Sequence, residues 1–319
     1  MSAELGRKQV PCRAKLSVMS QRITHRQPLT VRQMLLDRLI TRELKARIQR
    51  QSLDERHPRA VFANEFIGME SFIAGTYERN QLIILEGLAT ALRAVRQELT
   101  VFDVGANIGV HSRFLSPSAT RVYAFEPNDE VLPLLEFNTV DLNNVSIHAV
   151  ALSDRIGTAS LSSNRTWNKG TASLGDPAEG KSTEVEVTTL DSWLSPDMRV
   201  DLIKLDVEGH ELSVLNGAIS TLSRCRPVVA LEQRSDEFSD ANSETPSVRL
   251  LRSLGYEMFS PSFNAARADG VLGRVTNLIK LAISRERLWT LHPLPHVPRG
   301  LYPLLVAIPS EIVPDLPVR

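Results

Sequence analysis

The sequence predicts an α/β fold in which an open, mostly parallel sheet is flanked by helices and carries an inserted β-hairpin. The first observation is a strand, a tight turn and a helix start within Val101–Ser112, where two glycines lie four residues apart. The second is the alternation of β-prone runs near 121–126 and 145–150 with helical patterns near 108–116 and 129–142. Such alternation is typical of parallel sheets with right-handed crossovers.

The composition indicates a globular protein that works in a reducing compartment. Of its 319 residues, 42% are hydrophobic and 23% are charged, which is ordinary for a folded domain. The two cysteines lie far apart, without disulfide or metal-ligand spacing. No run of 18 apolar residues occurs, so no transmembrane segment is predicted, and the first 30 residues lack the apolar core of a secretory signal. We therefore expect a cytoplasmic protein.

Charge is concentrated at the start of the chain. Residues 1–59 hold 14 Lys and Arg against 5 Asp and Glu, although the whole chain has a net charge of zero. Apolar residues recur at helical spacing over Val31–Arg50, with Thr30 as a possible N-cap. The favoured interpretation is a basic amphipathic helix that packs on the domain or forms a homo-oligomer contact. An anionic membrane surface, nucleic acid and organelle targeting are the weaker alternatives, and we expect no nucleic-acid partner.

The glycine turn differs from a dinucleotide-binding turn. Gly105 leaves no side chain between the turn and a ligand, and Gly109 permits close packing of the following helix. In the G-x-G-x-x-G fingerprint the middle position is bare backbone for a pyrophosphate, but here it is Asn107, and Asp103 adds negative charge. Both changes suit S-adenosylmethionine (SAM), which carries no phosphate but has an ammonium, a sulfonium and a carboxylate.

A second carboxylate follows at the end of the next strand. Glu126 lies 23 residues after Asp103 and directly before Pro127. A carboxylate in this place can accept both ribose hydroxyls, although the same spacing also serves NAD.

An acidic group follows the strand predicted at Leu202–Leu205. Its carboxyl end carries Asp206, Glu208, His210 and Glu211. Ligands of open α/β sheets bind beyond the carboxyl ends of strands, near the point where strand order reverses. We therefore expect Asp206 beside the glycine turn, facing the methyl-donor end of the cofactor.

The remaining patterns complete the sheet and add the hairpin. Alternating residues at Ala159–Ser162 and Glu184–Thr188 predict the antiparallel pair, and Trp167 in the loop between them is either an acceptor contact or an anchor. The turn Ala74–Glu78 is expected to cap the mouth of the cofactor cleft. Further strands are predicted at Pro227–Glu232, Tyr256–Ser260 and Leu304–Ile308, with a helix at Ser247–Leu254.

With these residues in place, the chain resembles the FkbM family of SAM-dependent methyltransferases over roughly residues 75–260. The matching motifs are D-V-G-A-N-I-G at 103–109, A-F-E-P at 124–127, A-L-S-D at 151–154 followed by Gly157, T-L-D at 189–191, I-K-L-D-V-E-G-H-E at 203–211, and P-x-x-x-x-E at 227–232.

The resemblance implies a class I methyltransferase (Rossmann-like) sheet whose last strand is antiparallel. It divides the chain into a basic tail and helix at 1–60 and an FkbM-like methyltransferase domain at 61–319, with a core of about 100–260 and an insertion of about 261–300. The family methylates hydroxyl oxygens, often of sugars. By resemblance, the cofactor-binding residues are Asp103, Gly105, Asn107, Gly109, Glu126, Ser153, Asp154 and Asp206, with Glu126 at the ribose and Ser153 or Asp154 at the adenine. Gly109 as a packing glycine and Asp154 as a turn cap are the structural alternatives.

Methyl transfer to an unactivated hydroxyl requires alignment and removal of its proton. His210 or Glu208 is predicted as the base, with Asp206 positioning the methionine end of the cofactor or the acceptor. The alternative is that Glu208 and Glu211 simply favour a helix N-terminus. His111 is a weaker candidate, for which a structural role is favoured. Carboxylates at Asp206, Glu208 and Glu232 suit Mg²⁺, but no metal-specific spacing supports a metal, and none is predicted.

The leading functional prediction is a SAM-dependent O-methyltransferase that acts on a hydroxyl group of a sugar, glycan or small natural product. A nicotinamide-dependent oxidoreductase is the enzymatic alternative, and Asn107 in the glycine turn disfavours it. The third hypothesis is a non-catalytic module that binds the cofactor and docks a partner through its basic arm.

Overall fold

The computed structural model describes residues 31–51, 56, 58–62, 65–74, 76–163, 173–174, 181–238, 243–263 and 289–313. The chain divides into two compact units, residues 1–46 and 47–319. The first contains most of helix α1 (Val31–Gln51), which agrees with the predicted helix. Leu35, Leu36, Leu39 and Ile40 are exposed on it. Residues 1–30, including Cys12 and the predicted cap Thr30, lie outside the described residues.

The second unit alternates helices and strands. Its helices are α2 (Phe66–Ala74), α3 (Arg79–Val95), α4 (Val110–Leu115), α5 (Leu132–Thr139), α6 (Leu190–Trp193), α7 (Glu211–Asn216), α8 (Ile219–Cys225) and α9 (Pro246–Ser253). Its strands are β1 (Thr100–Val104), β2 (Arg121–Phe125), β3 (Val145–His148), β4 (Ala151–Leu152), β5 (Gly157–Ser163), β6 (Ser173–Leu174), β7 (Lys181–Thr188), β8 (Leu202–Leu205), β9 (Val228–Gln233), β10 (Tyr256–Phe263), β11 (Trp289–Pro293) and β12 (Tyr302–Pro309).

Eight strands form the main sheet in the order β11-β10-β12-β9-β8-β1-β2-β3. The strands from β9 to β3 pair in parallel. The last strand, β12, is antiparallel to both of its neighbours, β9 and β10, as the resemblance implied. Strand order reverses beside β1, so the carboxyl ends of β1, β2 and β8 lie together at the site that the sequence predicts.

One edge of the sheet differs from the sequence-based prediction of an insertion over residues 261–300. Strand β10 runs on to Phe263, and β11 pairs with it antiparallel as an edge strand. Trp289 packs closely on α3, since a Cβ added to Gly87 would lie 2.1 Å from its ring. Residues 264–288, which include Arg267 and Arg274, lie outside the described residues.

The predicted hairpin is present as a separate small sheet. All seven residues of β5 pair antiparallel with residues 181–187 of β7, and the four strands follow the order β4-β7-β5-β6. Trp167 lies outside the described residues. Strand β4, the next strand after β3 in the chain, pairs in parallel with the end of β7. The small sheet therefore follows β3 directly in sequence.

Two helices begin later than their apolar patterns predict. Helix α4 starts at Val110 because Gly109 has a left-handed backbone, with φ of 85°. Helix α5 starts at Leu132 because Asn128 forms a turn in which its side chain accepts a hydrogen bond from the Glu130 N–H at 3.0 Å.

Apolar side chains cover both faces of the main sheet. On one face, Phe102 packs edge-on against Trp193 with ring centroids 5.5 Å apart, within a cluster that reaches Leu222 and Leu251. On the other face, α3 buries Leu88 and its apolar neighbours against the strands. Burial on both faces explains the continuous apolar runs of the parallel strands and holds their carboxyl ends in place. No helix in the described part of the chain is both long enough and apolar enough to span a membrane.

Candidate active site

The glycine turn brings the ends of β1 and β8 into contact. Gly105 has a φ of 79°, and a Cβ at this position would lie 1.8 Å from the backbone oxygen of Asp206. The N–H groups of Gly105 and Ala106 both donate to the carbonyl oxygen of Phe125 at 3.0 Å. The turn therefore requires glycine, and Asp206 lies beside it as the sequence predicts.

The side chain of Glu126 connects the glycine turn to the backbone that follows β2. Its two carboxylate oxygens accept hydrogen bonds from the Asn107 N–H at 2.8 Å and from the Asn128 N–H at 2.9 Å. Burial raises the pKa of Glu126 to about 7, although both backbone hydrogen bonds oppose that rise. The carboxylate is thus fixed in orientation at the carboxyl end of β2.

A buried lysine connects the acidic residues of β1 and β8. Lys204 Nζ lies 2.8 Å from the Gly105 carbonyl oxygen, 3.4 Å from Asp103 Oδ1 and 3.3 Å from Asp206 Oδ2. Asp103 is completely buried, and its other oxygen accepts a hydrogen bond from Ser112 at 2.6 Å. Burial lowers the pKa of Lys204, but the nearby carboxylates outweigh burial and raise it above the ordinary value.

Lys204 was not among the predicted site residues. The signal was a lysine within the otherwise apolar strand Leu202–Leu205. A buried charge needs a partner, so such a lysine predicts a nearby carboxylate. Asp103, predicted as a cofactor contact, lies beneath the cavity lining and supports the site through Lys204.

One cavity over these strand ends is lined by half of the ten predicted site residues. Gly105, Asn107, Glu126, Asp206 and Glu208 all line it. Apolar walls are added by the stretch from β3 into β4 and by the hairpin, through Val150, Ala151, Leu152 and Leu161. The cavity therefore has a carboxylate at β2, an acidic group at β8 and apolar surface between β3 and the hairpin.

Residues 103–258 match a sequence model described as the methyltransferase FkbM domain. These residues form a methyltransferase FkbM domain. The FkbM domain begins within β1, just before the glycine turn, and ends in β10. It contains both the Glu126 turn and the acidic end of β8.

Relatives and solved structures are similar to parts of the chain. Over 140 residues the chain is 30% identical to the hexuronic acid methyltransferase AglP of Haloferax volcanii, and the match covers 43% of this chain and 57% of that relative. A structure of methyltransferase FkbM from Methylobacillus flagellatus KT has 20% identity and a TM-score of 0.34, covering 66% of this chain and 43% of the other. Magnesium protoporphyrin IX methyltransferase (ChlM) from Synechocystis PCC 6803 with bound SAM has 12% identity and a TM-score of 0.38, covering 89% and 100%.

Residues before the FkbM domain complete the cavity. Ile67, Tyr77 and Glu78 line it, so the segment expected to cap the cleft does reach its wall. Tyr77 and Glu78 were missed as site residues because neither belongs to a motif of the sheet. The one local signal was their place in the predicted turn Ala74–Glu78.

Negative charge is gathered at the end of the cavity that faces β8. Burial and then the charge of Asp206 raise the pKa of Glu78 to about 8, against the opposing effect of Lys204. Burial also raises the pKa of Glu232 to about 7, with Asp206 and Glu208 adding to the rise. Like charges in a poorly solvated site disfavour ionisation of each carboxyl. A cationic ligand group would relieve this repulsion.

His111 lies behind Glu78 in the FkbM domain. Its Nε2 atom is 3.5 Å from Glu78 Oε2 and has no hydrogen-bond partner among the described residues. Burial, followed by the charge of Lys204, lowers the pKa of His111 to about 3. The imidazole is therefore neutral at physiological pH and lies in the cavity wall.

His210 and two predicted adenine contacts form a separate polar group. His210 Nε2 lies 2.9 Å from Ser153 Oγ, which lies 3.2 Å from Asp154 Oδ1. These three side chains are not in the cavity lining, although the adjacent residues Ala151 and Leu152 are. Burial lowers the pKa of His210. The structure therefore places His210 beside Ser153 and outside the cavity lining, whereas Glu208 is in that lining. The roles of both stay predictions.

Two further residues have contacts that suit structural roles. A Cβ on Gly109 would lie 2.6 Å from Leu135 Cδ1, so this glycine permits helix packing. Glu211 Oε1 accepts hydrogen bonds from the Val207 and Gly209 N–H groups at 3.2 and 3.3 Å, at the start of α7. Within the part of the chain that the structure describes, no three His, Cys, Asp or Glu side chains are arranged to hold a metal ion.

Proposed function

We propose that the cavity binds SAM and that the chain transfers its methyl group to a hydroxyl oxygen of a sugar, glycan or small natural product. The observation that carries this proposal is the placement of charge on either side of Gly105. The fixed carboxylate of Glu126 lies on one side, and the acidic end of the cavity around Asp206 lies on the other.

Each part of this lining matches one part of the cofactor. The Glu126 carboxylate can accept the ribose hydroxyls, and the apolar residues Val150–Leu152 supply a wall for adenine. The acidic end suits the sulfonium and ammonium groups, and Lys204 holds Asp206 in place at 3.3 Å. The cofactor supplies an electrophilic methyl carbon, and the protein aligns it with the acceptor.

The same charges favour an uncharged acceptor. The AglP relative is named for hexuronic acid, which carries a carboxylate as well as hydroxyls. A carboxylate brought to Asp206 would meet like charge, and it would raise the pKa of Glu78 and Glu232 further, whereas a neutral hydroxyl would do neither. We therefore propose hydroxyl rather than carboxylate methylation.

Among the predicted bases, Glu208 lines the cavity and His210 does not. Glu208 is thus the better placed of the two, and Asp206 is proposed to position the methionine end of the cofactor. The cytoplasmic location and the homo-oligomer contact through α1 stay predictions.

Calorimetric titration and a methyl-transfer assay test the proposed function together. We expect SAM and S-adenosylhomocysteine (SAH) to bind, and labelled methyl to pass from SAM to methyl hexosides in preference to methyl hexuronosides. Binding of SAM without turnover on either class would favour the non-catalytic module. Protection against thermal unfolding by NAD(H), with no binding of SAM, would favour the oxidoreductase.

Glu126→Gln is expected to weaken SAM binding about 10- to 100-fold, since a hydrogen bond to a charged group is worth about 1.5–3 kcal/mol. The amide nitrogen would also face a backbone N–H in place of one carboxylate oxygen. Calorimetry measures the change, and Glu136→Gln, on the exposed face of α5, is the matched control. An unchanged dissociation constant for Glu126→Gln would show that this carboxylate does not hold the ribose.

A further inference from the structure

A second depression, the α3 groove, lies beside the cavity. It runs between the start of α3 and the ends of β10 and β12, and it has a volume of about 1170 Å³. Its lining includes Arg79, Gln81, Ser260 and Tyr302. Glu78 lines both the groove and the cavity, so this residue lies where the two spaces meet.

The lining of the α3 groove suits a ligand with many hydroxyl groups. Arg79 and Gln81 offer planar hydrogen-bonding groups, and Ser260 offers a hydroxyl. The ring of Tyr302 supplies an apolar surface, and its hydroxyl donates to the Pro298 carbonyl oxygen at 3.0 Å. Pockets of this mixed character, with apolar walls and a few polar groups, are typical of small-molecule sites.

Glu78 has an unusual backbone conformation directly before α3. Its φ of 50° is left-handed, which is uncommon for a residue other than glycine. Although it occupies the N-cap position, its side chain does not cap the helix. The side chain is directed inwards instead, with Oε2 3.5 Å from His111. Strained residues of this kind cluster at functional sites, where the surroundings hold them in place.

Building on the proposed function, we propose that the α3 groove binds a polyhydroxylated acceptor and that Glu78 accepts the proton of its reacting hydroxyl. The acceptor oxygen forms a bond to the methyl carbon while the carbon–sulfur bond breaks, and that electron pair remains on sulfur. The hydroxyl proton passes to a carboxylate oxygen of Glu78. The products are a methyl ether, SAH and protonated Glu78.

Glu78 fits this role better than Glu208. Glu208 does not line the α3 groove, and its carboxylate lies 3.5 Å from the guanidinium of Arg234. An ion pair with a guanidinium makes a carboxylate a weaker proton acceptor. Glu78 instead accepts a hydrogen bond from Tyr77, and its ionisation is set by burial and by the charges of Asp206, Lys204 and Glu232. His111 also faces it, at 3.5 Å.

The proton on Glu78 gives a test that does not depend on turnover. With a pKa of about 8, Glu78 is mostly protonated at pH 7. A sulfonium cation nearby would favour the carboxylate and release a proton, whereas the neutral sulfur of SAH would not. Titrations at pH 7 in two buffers of different ionisation enthalpy measure this release. We expect more proton release with SAM than with SAH, and we expect Glu78→Gln to remove the difference.

The same variant is tested for catalysis. Glu78→Gln is expected to lower kcat on methyl hexosides about 10²- to 10⁴-fold, the usual contribution of a general base. Because a base must be deprotonated, wild-type kcat should rise with pH through the pKa that Glu78 has in the SAM complex, which the sulfonium lowers. The variant should lack this rise. Because Glu78 also lines the cavity, its loss should weaken SAM binding as well, so kcat is measured at saturating SAM to separate the two effects. Glu98→Gln, an exposed residue before β1, is the matched control.

Three outcomes would overturn the assignment of Glu78. The first is a Glu78→Gln variant that keeps both the SAM-specific proton release and kcat. The second is a loss of the rising pH limb in Glu208→Gln but not in Glu78→Gln, which would assign the base to Glu208. The third is the absence of SAM binding in the wild-type protein, which would contradict the proposed function and this proposal with it. In the first two cases the proposed function stands.

The α3 groove is tested by Arg79→Ala. Loss of one charged hydrogen bond to the acceptor is expected to raise the KM for methyl hexosides about 10-fold, since 1.4 kcal/mol is a factor of ten. The dissociation constant of SAM should not change, because Arg79 does not line the cavity. Arg93→Ala, near the other end of α3, is the control. Equal KM values in both variants would show that the acceptor does not use this groove.

Discussion

Lys204→Met is expected to lower the free energy of unfolding by about 3–5 kcal/mol, the usual cost of removing one partner of a buried ion pair. The change leaves Asp103, which is completely buried, without the ammonium group 3.4 Å away. It also removes the hydrogen bond to the Gly105 carbonyl oxygen at 2.8 Å. Urea denaturation followed by circular dichroism measures the effect.

Two further variants show whether the loss of stability in Lys204→Met comes from the buried charge of Asp103. Lys45→Met, which replaces an exposed lysine of α1, should change stability by less than about 0.5 kcal/mol. Adding Asp103→Asn to Lys204→Met should recover part of the loss, because no unpaired carboxylate then remains buried. A loss below about 1 kcal/mol for Lys204→Met alone would mean that the lysine is not needed to compensate Asp103.

Gly105→Ala is expected to weaken SAM binding by at least about 100-fold, or roughly 2.8 kcal/mol. The added Cβ would lie 1.8 Å from the Asp206 backbone oxygen, in a backbone conformation with φ of 79° that side chains rarely adopt. Either the turn or the end of β8 must move, and both line the cavity.

Calorimetry with SAM and SAH measures the effect of Gly105→Ala, and thermal unfolding shows whether the domain remains folded. Gly300→Ala is the matched control, because a Cβ there would meet its neighbours at 3.5 Å or more. Wild-type affinity in Gly105→Ala would show that the cofactor does not approach this turn.

The sheet and one side of the site could be predicted from the sequence because they depend on short local patterns. A strand that ends in Asp-x-Gly specifies its own turn, and the predicted strand Leu202–Leu205 agrees with the structure. The general rule for open sheets then placed Asp206 beside Gly105. By contrast, β11 pairs with β10 across a long separation in sequence, and no local pattern specifies such pairing.

The other side of the site depends on tertiary contacts that the sequence pattern does not contain. Glu78 enters the cavity through a left-handed backbone before α3, and nothing in the turn Ala74–Glu78 indicates which side chain points inwards. His210, in contrast, was predicted as a site residue but does not line the cavity. Its place in the 203–211 motif suggested a base, but at the N-cap of α7 its side chain lies 2.9 Å from Ser153 Oγ.

A crystal structure of the chain with SAH tests the central claim most directly. We expect the ribose hydroxyls within hydrogen-bonding distance of the Glu126 carboxylate, and the sulfur atom at the end of the cavity formed by Asp206 and Glu78. A nucleoside bound outside this cavity, or bound with its sulfur turned away from Asp206 and Glu78, would contradict that arrangement.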